Sequence, residues 1–196
     1  MSMKRLFFKK NTATASLVYT AFFVMLGVLV PFLTAHAFGI PGIFMLPMHF
    51  PVLLCGFLLG PKKGFVCGLL SPLLSSLLTG MPVFYPMLPI MIIELPLYGL
   101  MAGLLYKVLK LPIPIALAFS MIIGRVGYGI MFAILFAFNP YLRALTVWGA
   151  ILTGLPGIVV QLYLIPAILY ALTPKKHTKT FFQKRLLNPA KVRKRI

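Results

Sequence analysis

LPMHFPVLLCGFLLGPKKGFVCGLLSPLLSSLLTGMP, residues 46–82, decides the fold. Two apolar runs, Gly42–Gly60 and Gly64–Thr79, are separated only by Pro61, Lys62 and Lys63. This pattern predicts a transmembrane hairpin with its charge at the tip. The tip then lies on one side of the membrane and both far ends on the other. Those far ends carry His49 between Pro47 and Pro51, then Ser71, Ser75, Ser76 and Thr79. Polar residues at such depth predict that the charge-free end is where the function lies.

The rest of the chain supports this reading. Of its 196 residues, 61% are hydrophobic, and the mean hydropathy is +1.01. No soluble domain of this size has enough interior to hide that much apolar side chain. Several runs reach the roughly 20 residues that cross a ~30 Å hydrocarbon core as a helix. They are continuously apolar rather than alternating, which excludes a β-barrel. The class is an all-α polytopic membrane protein.

Six spans follow in order. Residues 1–11 are a basic lead-in, with Leu6, Phe7 and Phe8 placed to dip into the interface. No small-residue cleavage site follows, so the first span, 12–34, reads as retained rather than as a signal peptide. The hairpin supplies spans two and three, and an uncharged loop, GMPVFYP (80–86), leads to span four at 87–106. Span five covers 115–138 and span six 147–172. Residues 12–172 form one membrane domain, and 173–196 a basic tail.

Charge fixes the expected orientation. Nineteen Lys and Arg face one acidic side chain. Four of the cations lie in the N-terminus, two in the hairpin turn, two at Lys107 and Lys110, and nine in the tail. With six spans all seventeen fall on one side, and only Arg143 on the other. So strong a positive-inside bias places both termini in the cytoplasm. The same distribution argues against nucleic acid as the partner of a net charge of +18; the basic tail suits anionic lipid headgroups instead.

Two charges lie at membrane depth, where an unpaired charge costs several kcal/mol. Glu94 stands about two turns into span four, and Arg125 near the middle of span five. Antiparallel neighbours bring them to similar depth, where they either neutralise each other or face a cavity and hold a ligand. Arg suits a carboxylate or phosphate because its planar donors match two oxygens. Gly124, Gly127 and Gly129 leave backbone room beside it. His49, Tyr98, Tyr128, Asn139 and Gln161 complete the candidate substrate-binding set, with Tyr85 and Trp148 nearby. Small residues at Ser16, Thr20 and Ala21 would let another helix approach span one, from this chain or from a partner. Cys55 and Cys67 have no metal-ligand spacing, and His49 has no partner set for a metal. One carboxylate excludes paired-acid catalysis, and no Walker A loop is present. The chain reads as a non-enzyme without a cofactor of its own.

Three stretches resemble a known family. Met45 to Gly64, with its GPKKG turn, the run from Ser71 to Pro82 (SPLLSSLLTGMP), and the run from Glu94 to Tyr106 (ELPLYGLMAGLLY) are similar to substrate-binding S components of energy-coupling factor (ECF) vitamin transporters. The resemblance spans about residues 12–172. It implies a vitamin captured in an outward-facing cavity closed by the loop between spans one and two. It also implies a membrane coupling subunit and two cytoplasmic ATPases, which carry the ATP and magnesium. ATP hydrolysis there would topple the S component and open its site inward. The family docks on its coupling subunit through a small-x-x-x-small face on span one, matched here by Ser16 and Thr20 with Ala21 adjacent.

The nearest subfamily resemblance is to pantothenate-specific S components. On that reading Arg125 takes the carboxylate, His49, Asn139 and Gln161 hydrogen-bond the remainder, and Glu94 orients Arg125 or accepts from a hydroxyl. A vitamin B6 form or cobalamin is the alternative cargo. A stand-alone proton-coupled carrier using Glu94, or a membrane scaffold that binds no small molecule, is the alternative class. The expected location is the plasma membrane of a bacterium, with lipids as neighbours.

Overall fold

A computed structural model of the chain describes residues 13–37, 46–138 and 147–172. The expected termini, the loop at 38–45, Asn139 and Arg143 lie outside the described residues. So does the side chain of Trp148.

The described residues form six α-helices and no strand. They are α1 (Ala13–Ala37), α2 (His49–Leu59), α3 (Pro61–Thr79), α4 (Met87–Gly103), α5 (Ile113–Phe138) and α6 (Val147–Leu172). A π-helical turn, Leu104–Val108, prolongs α4. Four segments, Thr14–Ala35, Met87–Val108, Ile113–Phe138 and Leu152–Leu172, are long and apolar enough to cross a membrane by length and composition. Large apolar side chains such as Leu17, Leu78, Phe119 and Leu152 remain exposed. In water they would be a liability; here they are the lipid-facing surface of a multi-pass membrane protein.

α4 is the centre, packed against α2, α3 and α5. Over half of its spanning window, 56%, is buried, against 22% in each of the other three. Contact with three neighbours makes it a fitting carrier for the one acid, since partners can reach it from three helices. Backbone contact tightens the middle of this packing. A Cβ on Gly64 would collide with the Gly99 carbonyl, and one on Gly99 with Gly64 backbone. Small residues of this kind let membrane helices touch directly, where water cannot drive them together.

The hairpin turn is tighter than expected. Pro61, Lys62 and Lys63 are not a three-residue linker but the first turn of α3. Proline at the first helical position is pre-set for a helix and loses no needed donor. Gly60 alone reverses the chain, at φ 100°, a conformation only glycine adopts freely. The helical part of span two is also shorter than its apolar run, beginning at His49. Pro47 disfavours the helical region at the residue before it, and Leu46 takes a left-handed φ of 48°.

The far end of the hairpin is fastened by its hydroxyls. Ser75 Oγ donates to the Met81 carbonyl at 2.6 Å, and Ser76 Oγ to the Pro82 carbonyl at 2.7 Å. Gly80, at φ 73°, turns the chain there. The serines that stood out in the sequence thus hold the α3–α4 loop against the end of α3.

Candidate functional site

A cavity of about 280 Å³ lies at the end of the bundle away from the Lys62–Lys63 tip. That is near the lower end of volumes that accept small molecules. Its polar wall combines His49 from α2, Glu94 from α4, and Arg125 and Tyr128 from α5. Ser75 and Thr79 add hydroxyls from α3, while Met48, Met81, Met87 and Met91 give a soft apolar lining.

Glu94 organises the polar wall. Its side chain is 2% exposed, and its Oε1 stands 3.0 Å from Arg125 Nη1. Tyr98, one turn further along α4, donates its hydroxyl to the same oxygen at 3.1 Å. His49 Nε2 lies 3.6 Å away, too long for a hydrogen bond. Its ring meets Tyr98 edge to face at 4.9 Å. Arg125 also lies over the Tyr128 ring, 5.7 Å from its centre, a favourable cation–π distance.

Two of these groups keep unspent hydrogen-bonding capacity. Arg125 gives Nη1 to Glu94, but its Nε and Nη2 find no acceptor among the described residues. Both ring nitrogens of His49 are likewise buried without a partner there. Buried polar atoms are normally satisfied. The Nε–Nη2 edge is the planar fork that accepts a carboxylate through two parallel bonds.

The expected residues divide into three groups. His49, Glu94, Arg125 and Tyr128 meet on the cavity wall. Tyr98 stands behind it, fixing Glu94 from within the core. Gln161, buried on α6, is not on the wall; its Nε2 donates to the Leu46 carbonyl at 3.4 Å. That carbonyl also accepts the His49 amide at 3.1 Å. Gln161 therefore braces the segment that delivers His49. Asn139 lies outside the described residues.

The small face of α1 turns largely inward. Ser16 and Thr20 are buried, and Thr20 donates to the Ser16 carbonyl at 2.9 Å. Ala21 is exposed beside Leu17 and Val18. The glycines beside Arg125 also serve packing: Gly124 accepts the Tyr98 ring, Cε1 lying 2.5 Å from where a Cβ would stand, and Gly127 accepts Leu97. Room for the guanidinium comes instead from Gly154 on α6, where a Cβ would lie 3.2 Å from Arg125 Nη2. Gly154 and the Leu46 carbonyl were missed because neither carries a side chain that marks a site.

Gln161→Leu tests the brace. The loss of one buried bond costs about 1 kcal/mol, or about fivefold in a local opening equilibrium. A cysteine placed at Met48 should react with maleimide about fivefold faster in the Gln161→Leu background. An unchanged labelling rate would mean that Gln161 does not hold this segment.

The fold and its internal cavity define an all-helical, multi-pass membrane protein with a place for a small solute. A family model described as ECF transporter, substrate-specific component, matches residues 8–169, and the chain belongs to that family. No curated protein and no solved structure matches the chain. Members of the family are the substrate-binding part of a transporter rather than enzymes, and work with membrane coupling and ATPase subunits.

Proposed function

We propose that the chain captures pantothenate from outside the cell and delivers it through an ECF importer. The observation that carries this reading is the Arg125 fork: Nη1 is held by Glu94, while Nε and Nη2 have no acceptor among the described residues. A ligand carboxylate completes the set. His49 then offers one hydrogen bond to the amide or a hydroxyl, and Ser75 Oγ, whose own proton goes to the Met81 carbonyl, can accept another from a ligand hydroxyl. The methionines receive the hydrocarbon part, since a thioether side chain adapts to irregular shapes.

The topology on this reading has six spans with both termini in the cytoplasm. The cavity then faces outward and the Lys62–Lys63 tip inward, in keeping with the seventeen-to-one bias of the cations. The chain docks on a membrane coupling subunit that carries two ATPases. Because Ser16 and Thr20 are buried, docking on α1 uses the outer side of that helix, around Leu17, Val18 and Ala21. ATP hydrolysis on the partners topples the chain and opens the cavity inward.

Isothermal titration of the purified chain against pantothenate, pyridoxine and cobalamin tests the cargo. The expected result is one-to-one binding of pantothenate alone. Binding of pyridoxine or cobalamin instead would replace the cargo and leave the capture role. A chain that transports without partners and follows a pH gradient would be a proton-coupled carrier using Glu94.

A further inference from the structure

At the opposite end of the molecule from the cavity, four lysines gather around the hairpin tip. Lys62 and Lys63 sit in the first turn of α3. Lys107, on the π-helical turn, folds across Gly60; its Cδ is 3.7 Å from where a Cβ on Gly60 would stand, and its Nζ donates to the Leu58 carbonyl at the end of α2. Lys110 follows at a left-handed φ of 59°. Lys107 lies close enough to Lys63 and Lys110 to feel the charge of both.

Like charges held together need a counter-charge. The chain has one acidic side chain, Glu94, and its Oε1 is engaged by Arg125 and Tyr98 at the cavity. The compensating anion must therefore come from outside this chain. The surroundings indicate its nature. Phe65 and Val66 beside Lys63, and Val108 and Leu109 beside Lys107, are exposed apolar residues. An anion that meets both the amines and these side chains carries hydrocarbon. We propose that the hairpin tip is a binding site for the phosphate headgroup of an anionic phospholipid, its acyl chains lying along Phe65, Val66, Val108 and Leu109. The site is separate from the cavity and stands whichever solute the cavity takes.

Native mass spectrometry of the full chain released from nanodiscs of equal phosphatidylglycerol and phosphatidylcholine tests this. Phosphatidylglycerol should be retained in preference. The combined change Lys62→Gln, Lys63→Gln and Lys110→Gln spares Lys107, which also bonds the end of α2. It should lower that retention at least about tenfold, since each lysine near an anionic lipid contributes about fivefold. The matching Lys→Arg changes should keep it. Equal retention of the two lipids would overturn the site. So would retention unaffected by the triple change, or displacement of the lipid by excess inorganic phosphate.

Discussion

Arg125→Ala is expected to weaken pantothenate binding at least about 30-fold. Truncating one partner of a buried, hydrogen-bonded charge pair costs about 2–5 kcal/mol, and each 1.4 kcal/mol is a factor of ten. Two losses act together: the ligand carboxylate loses its fork, and Glu94 keeps a charge with only the Tyr98 hydroxyl donating to it. Arg125→Lys separates charge from shape. An ammonium preserves the positive charge but cannot offer two parallel donors, so an intermediate loss of about tenfold is expected. Panthenol, the uncharged alcohol analogue, supplies the control. Wild-type protein should prefer pantothenate over panthenol, and Arg125→Ala should erase that preference. An Arg125→Ala protein that binds pantothenate with wild-type affinity would remove Arg125 from the carboxylate role.

Glu94 shows why the same pair matters for the fold. Glu94→Gln leaves Arg125 as an uncompensated cation at 14% exposure. Breaking a buried ion pair from one side costs about 3–5 kcal/mol, whereas replacing both members by apolar residues is often neutral. Glu94→Gln should therefore unfold at a markedly lower temperature in detergent, and Glu94→Leu with Arg125→Met should recover most of it. A recovered fold that fails to bind would separate the stabilising role of the pair from its role toward the ligand.

The residues that could be found from sequence are those that membrane physics makes conspicuous. Glu94 and Arg125 stood out because a charge in an apolar span needs a reason, and the structure joins them at 3.0 Å. The hairpin stood out because two apolar runs flank a charged tip. Its turn is shorter than the sequence suggests, because whether Pro61 starts a helix or extends a loop depends on the left-handed φ of Gly60. Residue type and depth alone point Gln161 toward the ligand. Its actual partner is a backbone carbonyl at Leu46, and backbone conformation leaves little trace in an apolar stretch. The glycines near Arg125 in sequence suggest backbone room beside it, yet two of them receive Tyr98 and Leu97 from α4. A glycine reports that something comes close, and only the fold says what.

Gly99→Ala is expected to be among the most damaging single changes to this protein's stability, although it adds one methyl group. The added Cβ would fall on the Gly64 carbonyl group, and on the facing helix these are backbone atoms rather than a side chain that can rotate away. Relief requires α3 and α4 to move apart. That movement also strains α2, because Gly56 rests against the same Gly99 carbonyl and beside Gly64. Overpacking a close core contact costs about 1–3 kcal/mol, and this contact joins three helices around the central α4, so a value near the upper end, about 3 kcal/mol, is expected. For a chain of this size each kcal/mol shifts the midpoint by about 2–4 °C, giving a fall of roughly 6–12 °C in detergent. Gly80→Ala is the informative comparison: no atom lies within 4 Å of its added Cβ, so its cost is limited to the left-handed φ of 73°, about 1 kcal/mol. The ordering of the two variants is the test. If Gly99→Ala melts no lower than Gly80→Ala, the α3–α4 crossing is not held by backbone contact, and the central place of α4 in the fold would need another cause.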